Sequence, residues 1–240
     1  MKEILQIIKN ENLISLSDNK YKYKDLQVSI FASSGDLSIN QTFKKFHQLK
    51  NIWDLINCNN DLKIFTAYLF YYRPFINNPI NEACLMDGEY LSIYDQNEAD
   101  WFYSSFVSSC YEKLYNFWDR IGDALAYYLN VEIEEYKVGF PCVIDKLAKL
   151  SVAKDNPYFK KLLDFKTNEF TEFNKHRKDI VHYYQFETTF RFEHFINSGD
   201  KEKMEKLWKW KNEMPEYFKQ HLENSCEGYH NTYKLINNWP

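Results

Sequence analysis

Apolar residues in this chain recur at every third and fourth position over long stretches with almost no turn residues between them, and that periodicity leaves little room for anything but helices. Phe43, Phe46, Leu49, Ile52, Trp53 and Ile56 keep the spacing, with Lys and Gln between them. "DLKIFTAYLFYYRPF" (61–75) is apolar nearly all round, as a buried helix would be, and Pro74 helps to end it. Trp101, Phe102, Ser105, Tyr111, Leu114, Tyr115, Trp118, Ile121 and Leu125 define a long helix over about 97–129. A short helix opens near Pro141, and "DNPYFKKLLDF" starts another with Asp155 or Asn156 as cap. The spacing carries that helix on to about Phe186. The tail, about 200–236, reads as one or two helices, with Pro215 the point for a kink. Six Gly and six Pro in 240 residues are too few for the turns of a sandwich or barrel. The expectation is an all-α antiparallel helical bundle over 37–240, with a motif helix over about 157–186. An N-terminal appendage, 1–36, holds a short helix at 2–12 and an extended or strand segment, "YKYKDLQVSIF" (21–31). The Pro-, Gly- and Asn-bearing stretch 79–95 reads as a loop.

A net charge of −4 argues against a protein that coats nucleic acid nonspecifically, which needs a broad cationic surface. It leaves room for an enzyme that grips a few phosphates through a local patch. Cys58, Cys84, Cys110, Cys142 and Cys226 are odd in number and scattered, a pattern of reduced thiols in a cytoplasmic protein. "MKEILQIIKNENL" lacks the uninterrupted apolar core of a signal peptide, and no apolar window is long enough to span a membrane.

The feature that breaks the helical pattern is "NKHRKDIVHYYQF" (174–186). On a wheel turning about 100° per residue, Leu163, Phe170, Phe173, Ile180, Val181 and Tyr184 all fall within about 60° of Arg177. A guanidinium therefore sits at the centre of the apolar stripe, where it costs several kcal/mol unless paired or set in a wet cleft. Asp119 or Asp123 on the long helix is a candidate internal partner; a crevice that binds phosphate or a second subunit is the other solution. His182 lies about 140° from Arg177 on an ideal helix, so the two share a site only at the helix edge, on an irregular helix or across a dimer. Asn174 and Lys178 occupy the arc between them.

Arg177-Lys178-Asp179-Ile180-Val181-His182-Tyr183-Tyr184 resembles the Arg-x4-His signature of the HEPN superfamily (higher eukaryotes and prokaryotes nucleotide-binding). It is similar to the extended Arg-x4-His-x-Tyr form found in HEPN toxins paired with small nucleotidyltransferases. Lys178 stands where a smaller polar residue is common. The resemblance implies a metal-independent endoribonuclease with no cofactor, acting on RNA as a homodimer in a toxin, phage-defence or stress role, with a nucleotidyltransferase antitoxin as partner. It implies Arg177 and His182 as catalytic residues, Asn174 and Lys178 as substrate contacts, and Tyr184 as a regulatory adenylylation site. These residue types suit the reaction, since imidazole exchanges protons near neutrality and guanidinium offers a permanent charge to phosphate. The alternative implied is a non-catalytic HEPN-like bundle that binds a nucleotide, RNA or a partner protein.

Other patterns carry less. His221, Cys226 and His230 lack the paired spacing of a zinc site, so no metal site is assigned. "YLFYYRPF" reads first as core, and "KEKMEKLWKWK" (201–211) as a solvated helix. The glycine-rich phosphate loops and the common metalloprotease and hydrolase motifs are missing from the sequence.

Overall fold

The computed structural model describes residues 1–18, 22–23, 26–27, 46–180 and 184–240. Helix α1 (Lys2–Asn10) is followed by β1 (Lys22–Tyr23) and β2 (Leu26–Gln27), which pair antiparallel, Lys22 with Gln27 and Tyr23 with Leu26. The rest of the expected extended segment lies outside the described residues. Next come α2 (Phe46–Tyr72), β3 (Cys84–Met86), β4 (Glu89–Leu91), α3 (Glu98–Tyr128), α4 (Phe140–Leu147), α5 (Ser151–Lys154) and α6 (Pro157–Phe165). A π-helical turn at Lys166–Phe170 leads into α7 (Thr171–Lys178), then α8 (Phe186–Asn197), α9 (Lys201–Asn212) and α10 (Met214–Asn237). The fold is all-α, and no described helix is long and apolar enough to cross a membrane.

Local chemistry explains most boundaries. Asn156 caps α6, its Oδ1 accepting from the Tyr158 and Phe159 amides at 2.9 and 3.2 Å, with Pro157 in the first turn. The two helical segments read on either side of Asp61 are one helix, α2, because "CNND" contains no breaker and the polar Asn59 is used inside. Its Nδ2 donates to Ser225 Oγ at 2.6 Å, and its Oδ1 accepts from the Leu16 amide at 2.8 Å. Pro215 stands in the first turn of α10, where proline costs nothing, rather than at a mid-helix kink. The stretch read as a loop contains the β3–β4 hairpin, with Met86 opposite Glu89. Asp87 and Gly88, both at positive φ, form its two-residue turn. That Asp-Gly pair was the available signal, masked by the shortness of both strands.

The chain forms two compact units: residues 1–13, 62–112 and 176–220 in one, and residues 14–61, 113–175 and 221–240 in the other. In the first, Tyr103, Val107, Phe186, Phe190, Met204 and Phe218 are fully buried. In the second the centre is Trp118. Phe165 stacks on it at 4.2 Å, Phe140 lies tilted at 4.7 Å, and Phe170 meets it edge-on at 6.4 Å. Gly228 backs the same indole, and a Cβ there would come within 2.2 Å of its ring. Replacing Gly228 with alanine is therefore expected to destabilise the protein by about 1–3 kcal/mol, despite alanine's better helix propensity, as the core is forced to open. Urea unfolding of the variant measures this; a stability equal to or above wild type would contradict the packing.

Candidate functional site

The motif lies on α7 and the chain that follows it. Within α7 the helix is regular, with Phe173 buried and Arg177 half-buried, and Ile180, two residues past its end, is buried as well. The wheel reading of Arg177 on the apolar stripe therefore agrees with the burial of its neighbours. Lys178 is exposed. Asn174 is half-buried, and its Oδ1, shielded from solvent, accepts no hydrogen bond from a described residue. Tyr184 is 65% exposed. Val181, His182 and Tyr183 lie outside the described residues.

The helix is not the continuous one expected over 157–186. It is π-helical at Lys166–Phe170 and again at Asp179–Ile180, and the Tyr184 amide donates to the Asp179 carbonyl at 3.0 Å, five residues back. A π-turn closes its hydrogen bond over five residues instead of four and so adds a residue to the turn, which resets the helical wheel across it. The upstream turn shows the consequence: Phe165 and Phe170, five apart, both pack on Trp118. Ideal-wheel angles consequently hold through α7 to Ile180 and fail at Tyr184. Tyr184, placed on the core stripe by the wheel, is at the surface.

Two anchors fix the chain just after Tyr184. Phe186 opens α8 buried against Trp210, ring centroids 4.6 Å apart. Glu187 accepts from Ser104 Oγ at 2.6 Å, Tyr94 Oη at 2.8 Å and Lys211 Nζ at 3.2 Å. Lys211 is wholly buried, and its three ammonium protons are met by Glu187, Asp100 Oδ1 at 2.8 Å and Tyr94 Oη at 2.7 Å, with the Phe190 ring 4.3 Å away. Burial, then the charges of Glu187 and Asp100, push the Tyr94 phenol well above its usual range, so it stays neutral and donates. Sequence reasoning missed this network by reading "KEKMEKLWKWK" as solvated. The signal was there: Lys211 follows the buried Met204 by seven residues, two helical turns along the same face.

Of the two carboxylates considered as partners for Arg177, Asp123 meets Arg120, and Asp119 lies 3.9 Å from the same guanidinium. Arg120 donates to Asp54 at 2.7 Å and to Asp123 at 3.1 Å. His221 and Cys226 are buried and His230 nearly so, yet among the described residues no three His, Cys, Asp or Glu side chains gather to hold a metal ion.

The family model described as Cthe2314-like HEPN matches residues 55–237. The chain is a HEPN protein. The matched span runs from α2 to the end of α10 and takes in the whole of α7 and the residues after it. No curated protein and no solved structure matches the chain. Family and structure agree on a helical bundle of the HEPN kind.

Two measurements test the interior of this HEPN fold. Lys211→Met leaves Asp100 and Glu187 buried without their cation and is expected to cost about 3–5 kcal/mol in urea unfolding; adding Asp100→Asn and Glu187→Gln should return part of that loss. A loss below about 1 kcal/mol would mean that the network is not the anchor described. His221 packs on Phe173 at 5.6 Å, and burial lowers its pKa from 6.5 to about 4. The unfolded chain then binds the extra proton first, so stability is complete above about pH 6.5 and falls as the pH drops toward 4, by about 3 kcal/mol in all. His221→Phe should flatten that part of the pH–stability curve.

Proposed function

We propose that this HEPN protein is a metal-independent endoribonuclease, a toxin, phage-defence or stress effector of the cytoplasm, in which Arg177 and His182 act at a site completed by a second copy of the chain. The observation that carries the reading is a guanidinium set into the apolar stripe of α7, followed five residues on by His182 and two further by the exposed Tyr184, in a chain of the HEPN family.

In this mechanism the 2′-OH of RNA attacks the adjacent phosphorus. The 2′-O–P bond forms as the P–O5′ bond breaks, leaving a 2′,3′-cyclic phosphate and a 5′-OH. One imidazole takes the 2′-OH proton and the imidazolium of the other copy delivers one to O5′. Arg177 from each copy neutralises charge on the phosphoryl oxygens, which its planar fork fits. Lys178, exposed one residue on, and Asn174 hold the flanking backbone. Tyr184, with its hydroxyl at the surface, is the position that a partner nucleotidyltransferase antitoxin adenylylates to silence the enzyme.

Arg177→Ala and His182→Ala are each expected to slow cleavage of single-stranded RNA in EDTA by at least about a hundredfold while circular dichroism stays that of wild type. Arg177→Lys should restore little, because an ammonium is a point charge without the fork. Wild-type protein that leaves RNA intact, or alanine variants that cut as well as wild type, would refute the assignment and favour a binding-only bundle.

A further inference from the structure

Between Pro74 and Glu112 the chain carries seven acidic residues and no lysine or arginine, whereas the remainder is net basic. Asp100 is used inside, against Lys211. Glu82, Asp87, Glu89, Asp95, Glu98 and Glu112 are all exposed. Large apolar side chains of the same segment are exposed too, among them Trp101, 68% exposed, and Phe102, 51%. They lie at the start of α3 and, with Gln96, Asn97, Glu98 and Ser105, line a groove of about 610 Å³. Rings back the groove: Phe102 stacks on Tyr72 at 5.4 Å, Tyr72 on Phe106 at 6.0 Å, and Phe106 on Tyr68 at 4.6 Å with the planes 2° apart. Asn97 is already committed, its Nδ2 donating to the Phe75 carbonyl and Asn77 Oδ1. Two cations of the same unit are engaged as well: Arg73 is paired with Glu216, and Arg191 donates to Gln96 Oε1 at 3.3 Å at the groove's rim.

Aromatic faces beside a carboxylate attract cations, while a segment with six exposed acids and no lysine or arginine disfavours a phosphate backbone. We propose that the groove is a docking site for a basic segment of a partner protein, one arginine or lysine of which packs on Trp101 and Phe102 with Glu98 as its counter-charge. Apolar side chains on either side of that residue cover the neighbouring rings, as in a docked peptide whose charged positions alternate with apolar anchors. The residues that line this groove include neither Arg177 nor His182.

The experiment uses the full chain and a fluorescein-labelled decapeptide of alternating arginine and leucine, read by fluorescence anisotropy. Binding is expected, weakening with salt, and Trp101→Ala and Glu98→Gln should each weaken it by about three- to tenfold. Both side chains are exposed, so the variants are expected to melt with wild type, which thermal unfolding checks. No binding by wild type, unchanged binding by either variant, equal binding of a peptide with glutamate in place of arginine, or displacement of the peptide by a single-stranded RNA would each overturn the proposal.

Discussion

The interaction on which the first unit depends is the ion cluster around Lys211. A buried ammonium is tolerable only when every proton has an acceptor and its charge is balanced. Meeting that demand draws together the end of α9, the start of α8 through Glu187, the start of α3 through Asp100, and Tyr94 from the segment before α3. Asp100 serves two elements at once, because its Oδ2 also receives the Asn97 amide at the α3 N-terminus while Asn97 Oδ1 receives the Asp100 amide. Apolar contacts are non-directional and tolerate a shift of register; these hydrogen bonds do not. The cluster therefore sets where α8 begins, and with it the point at which the motif segment ends.

The second constraint is helical irregularity. Trp118 is satisfied by Phe165 and Phe170 together only because the intervening turn is π-helical, and Gly228 leaves room for the indole on its other side. The same widening recurs after α7. There the Tyr184 amide reaches back five residues to the Asp179 carbonyl, so the angles of an ideal wheel do not carry across to Tyr184.

Several parts of the molecule were legible from residues alone. The helical character, the Asn156 cap and the place of Arg177 on an apolar face follow from local periodicity and capping chemistry, which act over a few neighbouring residues. The break before Phe186 was not legible, because it depends on Phe186 meeting Trp210 and on Glu187 meeting Lys211, partners 24 residues away in each case. The hairpin at 84–91 was legible in principle from Asp-Gly. Three-residue strands, however, leave too short an alternation to outweigh the surrounding Pro and Asn.

The sequence by itself determined that this chain is helical and that it belongs with the HEPN proteins, because helix periodicity and family resemblance are carried by the order of the residues. Tertiary structure alone decided where the helices widen or stop, that Tyr184 stands at the surface, and that Lys211 lies in the core. Those outcomes turn on which distant groups satisfy a buried charge or an indole face, and no local pattern of residues specifies a partner across the fold.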